Sequence, residues 1–186
     1  MRTYHTNTLT KAGSALIVVD IQDKLLHAIH DWETVLANSI KMISFAQTLN
    51  VPVIVTEQYP KGLGPTNAAV KETLSSFSPL VKTVFSCFGA PGFQEKLDEL
   101  DVSALLLVGI EAHICVQQTA LEAIARGYKV HVAADAVGSR TVFNKEIGLE
   151  KIRQAGGIIT SIEIALYEWL ERSDSQEFKT ILPLIK

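Results

Sequence analysis

The chain is poor in cysteine, in long apolar runs and in clustered positive charge. Only Cys87 and Cys115 stand among its 186 residues. Two thiols cannot build a disulfide framework, so a reduced, cytoplasmic setting is the expectation. No apolar run approaches the roughly 20 residues needed to span a bilayer, and Met1–Ser14 is polar, without an apolar signal core. Lys and Arg number 17 against 20 Asp and Glu, a formal charge of −3 with no basic run. Neither nucleic acid nor a membrane is therefore expected as a partner. No G-x-G-x-x-G turn follows the first apolar run, which continues as DIQDKLL, and this disfavours a dinucleotide-binding fold. What is present is apolar: 47% hydrophobic against 20% charged residues supports a substantial core. The length fits one domain over residues 1–186.

Short apolar runs alternate with longer amphipathic stretches. Ala15–Asp20 (ALIVVD) predicts a strand buried on both faces, because five apolar residues run without alternation. Val51–Thr56, Val81–Phe85, Ser103–Ile110, Lys129–Ala134 and Ile158–Thr160 predict further strands. Helical spacing covers Asp31–Leu49, Gly92–Leu100, Cys115–Arg126 with Gly127 as C-cap, and Asn144–Gln154. The tail from Glu163 also reads as helical, with a break at Ser173–Ser175. Such alternation implies right-handed crossovers and an α/β fold with a parallel sheet covered on both faces. In that architecture the site lies beyond the carboxyl ends of the strands. The turn-rich stretch Glu57–Pro65 follows one of these ends and is expected to wall a pocket.

Three chemically capable side chains fall at these ends. Asp20 closes the first strand, and a carboxylate set against five apolar residues needs a partner. Cys115 falls at the start of a helix, where the macrodipole favours the thiolate. Lys82 stands inside the apolar run LVKTVF. Together they supply a base, a nucleophile and a cation, the set that covalent acyl transfer requires. Gln22 lies on the same side of an extended chain as Asp20 and is a candidate substrate contact. Tyr59, Phe85 and Phe88 are candidate apolar pocket walls. Cys87 has no base assigned to it and reads as structural. Asp135 and Arg140 are expected to brace a loop by charge-assisted bonding. The histidines (His5, His27, His30, His113, His131) show no ligand spacing, and His27 with His30 reads as a solvated helix face.

Asp20 in VVDIQ, Lys82 in VKTVFSCF and Cys115 in GIEAHICVQQTA resemble the Asp-Lys-Cys triad of the isochorismatase-like cysteine hydrolases. That superfamily includes nicotinamidases and N-carbamoylsarcosine amidohydrolases. TEQYPKGLGPT, residues 109–140 and the ending LPLIK are similar to the isochorismatase domain-containing hydrolases in particular. The resemblance implies a six-stranded parallel sheet with helices on both faces. It also implies a cis peptide at Ile110–Glu111 and an oxyanion hole from the backbone N–H groups of Glu111 and Cys115. The implied reaction is hydrolysis of a small-molecule amide or carbamoyl C–N bond through a thioester, with Lys82 depressing the thiol pKa. Cys115 would then alkylate well below pH 8.5. Family members commonly form homo-oligomers, and the apolar segment Ile181–Ile185 is expected to cover either its own chain or a neighbour.

This sequence departs from nicotinamidases in one respect. Where those carry an Asp-x-His pair with a further His for a divalent ion, it reads Glu57-Gln58-Tyr59, and no histidine lies between Asp31 and Leu105. No catalytic metal and no cofactor are expected. Vinyl-ether hydrolysis is the alternative chemistry, disfavoured because members resembling that activity often lack the cysteine. A haloacid-dehalogenase-like phosphatase would want an acid where Gln22 stands. A non-catalytic oligomeric binding protein on the same fold is the remaining alternative.

Overall fold

The computed structural model describes residues 7–185. The first six residues of the polar stretch Met1–Ser14, His5 among them, and Lys186 at the end of LPLIK lie outside these. Six strands, β1 (Ser14–Val19), β2 (Val53–Gln58), β3 (Leu80–Lys82), β4 (Ala104–Ile110), β5 (Lys129–Gly138) and β6 (Ile158–Thr160), form one parallel sheet in the order β3-β2-β1-β4-β5-β6. Between them run α1 (Asp23–Leu26), α2 (Trp32–Thr48), α3 (Pro60–Leu63), α4 (Ala68–Thr73), α5 (Phe93–Glu99), α6 (Gln117–Ala125), α7 (Val142–Gln154), α8 (Ile162–Leu170) and α9 (Gln176–Ile185). Among the described residues no helix is long and apolar enough to cross a membrane.

The continuous apolar strands follow from burial on both sides. Leu16 and Val18 of β1 join the core formed with α2, α8 and α9, whereas Ala15, Ile17 and Val19 join the opposite core with α5 and α6. Each fully buried Val, Leu or Ile contributes about 1.5–3 kcal/mol, so neither face tolerates polar alternation. Ile181 of α9 is buried in its own chain's first core, so the apolar C-terminal segment packs there.

The strand order reverses direction on either side of β1, which pairs with β2 and with β4. Loops leaving β1 and β4 therefore diverge and open a crevice at the carboxyl ends of those strands. Gly109 lets them come close. It faces Val19 in the register, has φ +110°, and an added Cβ would lie 2.1 Å from the Val19 carbonyl oxygen.

Three elements differ from expectation. Strand β3 stops at Lys82 rather than Phe85, because this edge strand pairs only with three residues of β2 and the chain then bends. The region 57–65 is less a loop than expected: Glu57 and Gln58 belong to β2, and Pro60 opens the single turn α3. Strand β5 runs past Ala134 to Gly138, because a register shift between Leu107 and Gly109 lets pairing resume.

Candidate active site

Asp20 follows β1 in the left-handed region, φ 50°, and is fully buried. Three neighbours compensate its carboxylate. The Lys82 ammonium donates to Oδ2 at 2.5 Å, the Thr56 hydroxyl donates to Oδ1 at 2.7 Å, and the Cys115 thiol interacts electrostatically with the carboxylate. Lys82 in turn donates to Gln58 Oε1 at 2.6 Å. Thr56 and Gln58 share one face of β2, since strand side chains alternate, and Gln58 is the register partner of Lys82. Both contacts escaped the sequence reading. The signal was the spacing Thr56-x-Gln58 at a strand end; only the strand order shows that it faces Asp20 and Lys82.

Cys115 lies in a π-helical turn, Ala112–Val116, which leads directly into α6. Val116 N–H donates to the Glu111 carbonyl at 3.2 Å, closing the wide turn. Such turns recur at functional sites. The opposite side of this turn is covered by α7, whose Gly148 permits the approach: a Cβ there would meet the Ala112 carbonyl oxygen at 2.8 Å. The Ile110–Glu111 peptide is cis. Cys115 is 6% exposed, whereas Asp20 and Lys82 are at 0% and 1%, so Cys115 is the residue of the cluster with most access to solvent.

The electrostatics correct one expectation. Burial and the Asp20 charge push the Cys115 thiol up to about 12, against an ordinary 9.0, and outweigh the lowering by Lys82. Burial is the largest single influence on the Lys82 ammonium and disfavours it, but the raising interactions together, led by the Asp20 charge, outweigh burial and its pKa rises. The resting thiol beside the Lys82 ammonium is thus neutral, not a preformed thiolate. The lysine effect loses because burial first, and the Asp20 charge second, outweigh it. Easy alkylation below pH 8.5 is no longer expected. Burial likewise pushes the fully buried Cys87 up to about 11; its sulfur sits 3.7 Å from Thr56 Oγ1 and its amide donates to Thr119 at 2.9 Å.

Other candidates scatter. The Gln22 side chain is consumed by backbone. It accepts from Gln58 N–H at 2.7 Å and donates to the carbonyls of Gln58 and Gly64 at 3.0 and 2.5 Å. It clasps the segment after β2. Glu57, on the other face of β2, accepts from the amide and hydroxyl of Thr66. Tyr59 and Phe85 are about half exposed. The Phe88 ring packs on Phe93 and Tyr128 beneath the Arg126 guanidinium, against the core that contains Cys87 and Cys115. Asp135 and Arg140 do not pair: Asp135 accepts from Ile162 N–H, and Arg140 grips Glu111. The chain leaving β5 turns before the two side chains can meet. His27 and His30 fall beyond the four-residue α1, with the His27 ring set edge-on to Trp32.

A parallel α/β sheet whose switch point holds a buried Asp-Lys-Cys cluster defines a narrow class of proteins. The isochorismatase domain model matches residues 14–164, and the chain belongs to the isochorismatase family. It is 38% identical over 183 residues to the secreted isochorismatase effector Isc1 of Phytophthora sojae, covering 94% of this chain and 85% of that protein. The solved structure of MAR1 ribonuclease from Caenorhabditis elegans superposes with a TM-score of 0.90 at 38% identity, covering 96% of this chain and 92% of the other. The YcaC gene product of Escherichia coli, an octameric hydrolase of unknown specificity, shares the fold with a TM-score of 0.90 at 21% identity, covering 98% and 92%.

Proposed function

We propose that the protein is a cysteine hydrolase that cleaves a small-molecule amide or carbamoyl C–N bond through a thioester on Cys115. The observation that carries this reading is the placement of the Asp20 carboxylate between the Lys82 ammonium and the Cys115 thiol. Asp20 takes the thiol proton as sulfur attacks the carbonyl carbon, so a free thiolate need not accumulate. The carbonyl π pair moves to oxygen, where the N–H groups of Glu111 and Cys115 receive it. Collapse breaks the C–N bond, and the departing nitrogen takes the proton from Asp20. Water then gives a proton to Asp20 and attacks the thioester; expelled sulfur recovers that proton. Lys82 pairs with Asp20 and holds it in place, while Thr56 and Gln58 hold the pair in register. Tyr59 and Phe85 flank the mouth as apolar walls.

Intact-protein mass spectrometry with pooled amides and ureides tests the reading. An acyl adduct on Cys115 is expected, absent from Cys115→Ser. Turnover that survives Cys115→Ser would overturn the thioester, and vinyl-ether cleavage without an adduct would favour the other chemistry. An oligoribonucleotide belongs in the panel because of the ribonuclease relative; cleavage dependent on Cys115 and Asp20 would replace the amide reading.

The exposed apolar residues Val142, Phe143 and Ile147 on α7 and the octameric relative support a homo-oligomer, which light scattering checks directly: a monomer at micromolar concentration refutes it. The free thiols of Cys87 and Cys115 suit a reducing, cytoplasmic compartment.

A further inference from the structure

The loop leaving β5 grips the turn that carries Glu111. Ile110 and Gly138 are register partners, so residues 139–140 run beside residues 111–113. Ser139 Oγ lies 3.0 Å from His113 Nδ1. Arg140 Nε donates to both carboxylate oxygens of Glu111, at 3.2 and 3.1 Å, and Nη2 donates to Oε1 at 2.9 Å. The Glu111 side chain is 6% exposed and that of Arg140 61%. A buried carboxylate stripped of its partner keeps a poorly solvated negative charge.

The position of that charge gives the pair its interest. Lys82 balances Asp20, which leaves Glu111 as the other carboxylate of the turn that presents the nucleophile. Its own backbone N–H is one of the two groups assigned to the oxyanion. An unbalanced carboxylate on the same residue would repel the negative oxygen of the tetrahedral intermediate and oppose the amide donors. We propose that Arg140 is a positioning residue for the reaction, acting through Glu111 to cancel this charge beside the oxyanion. The proposal rests on the thioester reading of Cys115. It requires no contact between Arg140 and substrate, so its loss shows in the acylation step and not in binding.

The test uses the whole protein with p-nitrophenyl acetate, a neutral acyl donor, following nitrophenolate release and acetylation of Cys115. If wild-type Cys115 is not acetylated, the thioester reading fails on its own and carries this proposal with it. With acetylation in hand, Arg140→Ala is expected to slow the saturated acylation rate at least about tenfold while half-saturation moves less than about twofold. Arg140→Lys keeps the charge and recovers most of the rate. Arg140→Ala combined with Glu111→Gln recovers at least half of the logarithmic loss, because no carboxylate then needs cancelling. Alkylation of Cys115 by iodoacetamide needs the thiolate but develops no oxyanion, so in Arg140→Ala it is expected to slow clearly less than acylation. The proposal is overturned if the double variant stays as slow as Arg140→Ala, if the loss falls on half-saturation, or if alkylation slows in parallel.

Discussion

Replacing Asp20 by Asn should make Cys115 more reactive toward an alkylating agent even as it abolishes turnover. In the wild-type cluster the thiol is pushed up to about 12 from an ordinary 9.0, with burial the largest cause and the Asp20 charge the next. Three units correspond to about a thousandfold less thiolate at any pH below 9. Wild-type Cys115 should therefore react about a thousandfold more slowly than an exposed cysteine at pH 8. Its rate should climb about tenfold per pH unit through pH 10 without a plateau, because the thiolate is the reactive form. The variant loses the Asp20 charge, which raises the thiol. The Lys82 charge, which lowers it, persists without its partner. Burial is unchanged, so the thiol does not return fully to 9.0, but a rise in rate of at least about tenfold at pH 8 is expected. Iodoacetamide labelling with peptide mapping separates Cys115 from Cys87, which is fully buried and should label more slowly in both proteins. Circular dichroism confirms that the variant is folded at the assay temperature. A wild-type plateau below pH 9, or equal or slower labelling in Asp20→Asn, would refute the neutral-thiol cluster.

Three further outcomes follow from the same contacts. Lys82→Met leaves Asp20 buried without its cation and should cost about 3–5 kcal/mol in a urea melt; a change below about 1 kcal/mol would mean the pair does not hold the site. Thr56→Val removes the 2.7 Å bond to Asp20, with an expected loss of about 1–3 kcal/mol and slower acylation by p-nitrophenyl acetate. His131 is fully buried on β5, neither ring nitrogen has a hydrogen-bond partner among the described residues, and burial pushes its pKa down to about 4. The unfolded chain binds this proton near 6.5 and the folded one resists it, so stability is complete above 6.5 and falls by about 3 kcal/mol as pH drops toward 4. Urea titrations at pH 7.5 and 4.5 check this, and His131→Leu should flatten that part of the dependence; an unchanged slope refutes it.

Much of the fold was legible because burial on both faces writes itself into a sequence. The runs ALIVV and ALLLVGI have no polar alternation, and only a strand between two helical layers tolerates that. Helix α2 was legible from spacing, and α8 and α9 from the polar break between them. Strand ends were less so. Lys129–Ala134 extends through Asp135 because a shift in its pairing with β4 accommodates the polar residue, and no local pattern announces a bulge in a partner strand. The short turns α1, α3 and α4 bury little and leave little periodicity.

The site divides along the same line. Asp20, Lys82 and Cys115 stand out because each is a reactive group against an apolar run, a contrast visible without coordinates. Their partners do not: Thr56, Gln58 and Arg140 are ordinary polar residues until the register places Gln58 beside Lys82 and Gly138 beside Ile110. Pairing across 24 or 29 positions depends on which strands neighbour each other, and composition carries no record of that. The scarcity of cysteine and of basic runs excluded whole classes of protein, and local apolarity determined the strands and the three reactive residues between them. Only the tertiary structure decided the protonation of Cys115, because a thiol's pKa depends on burial and on the nearest charge, both of which are properties of the assembled cluster.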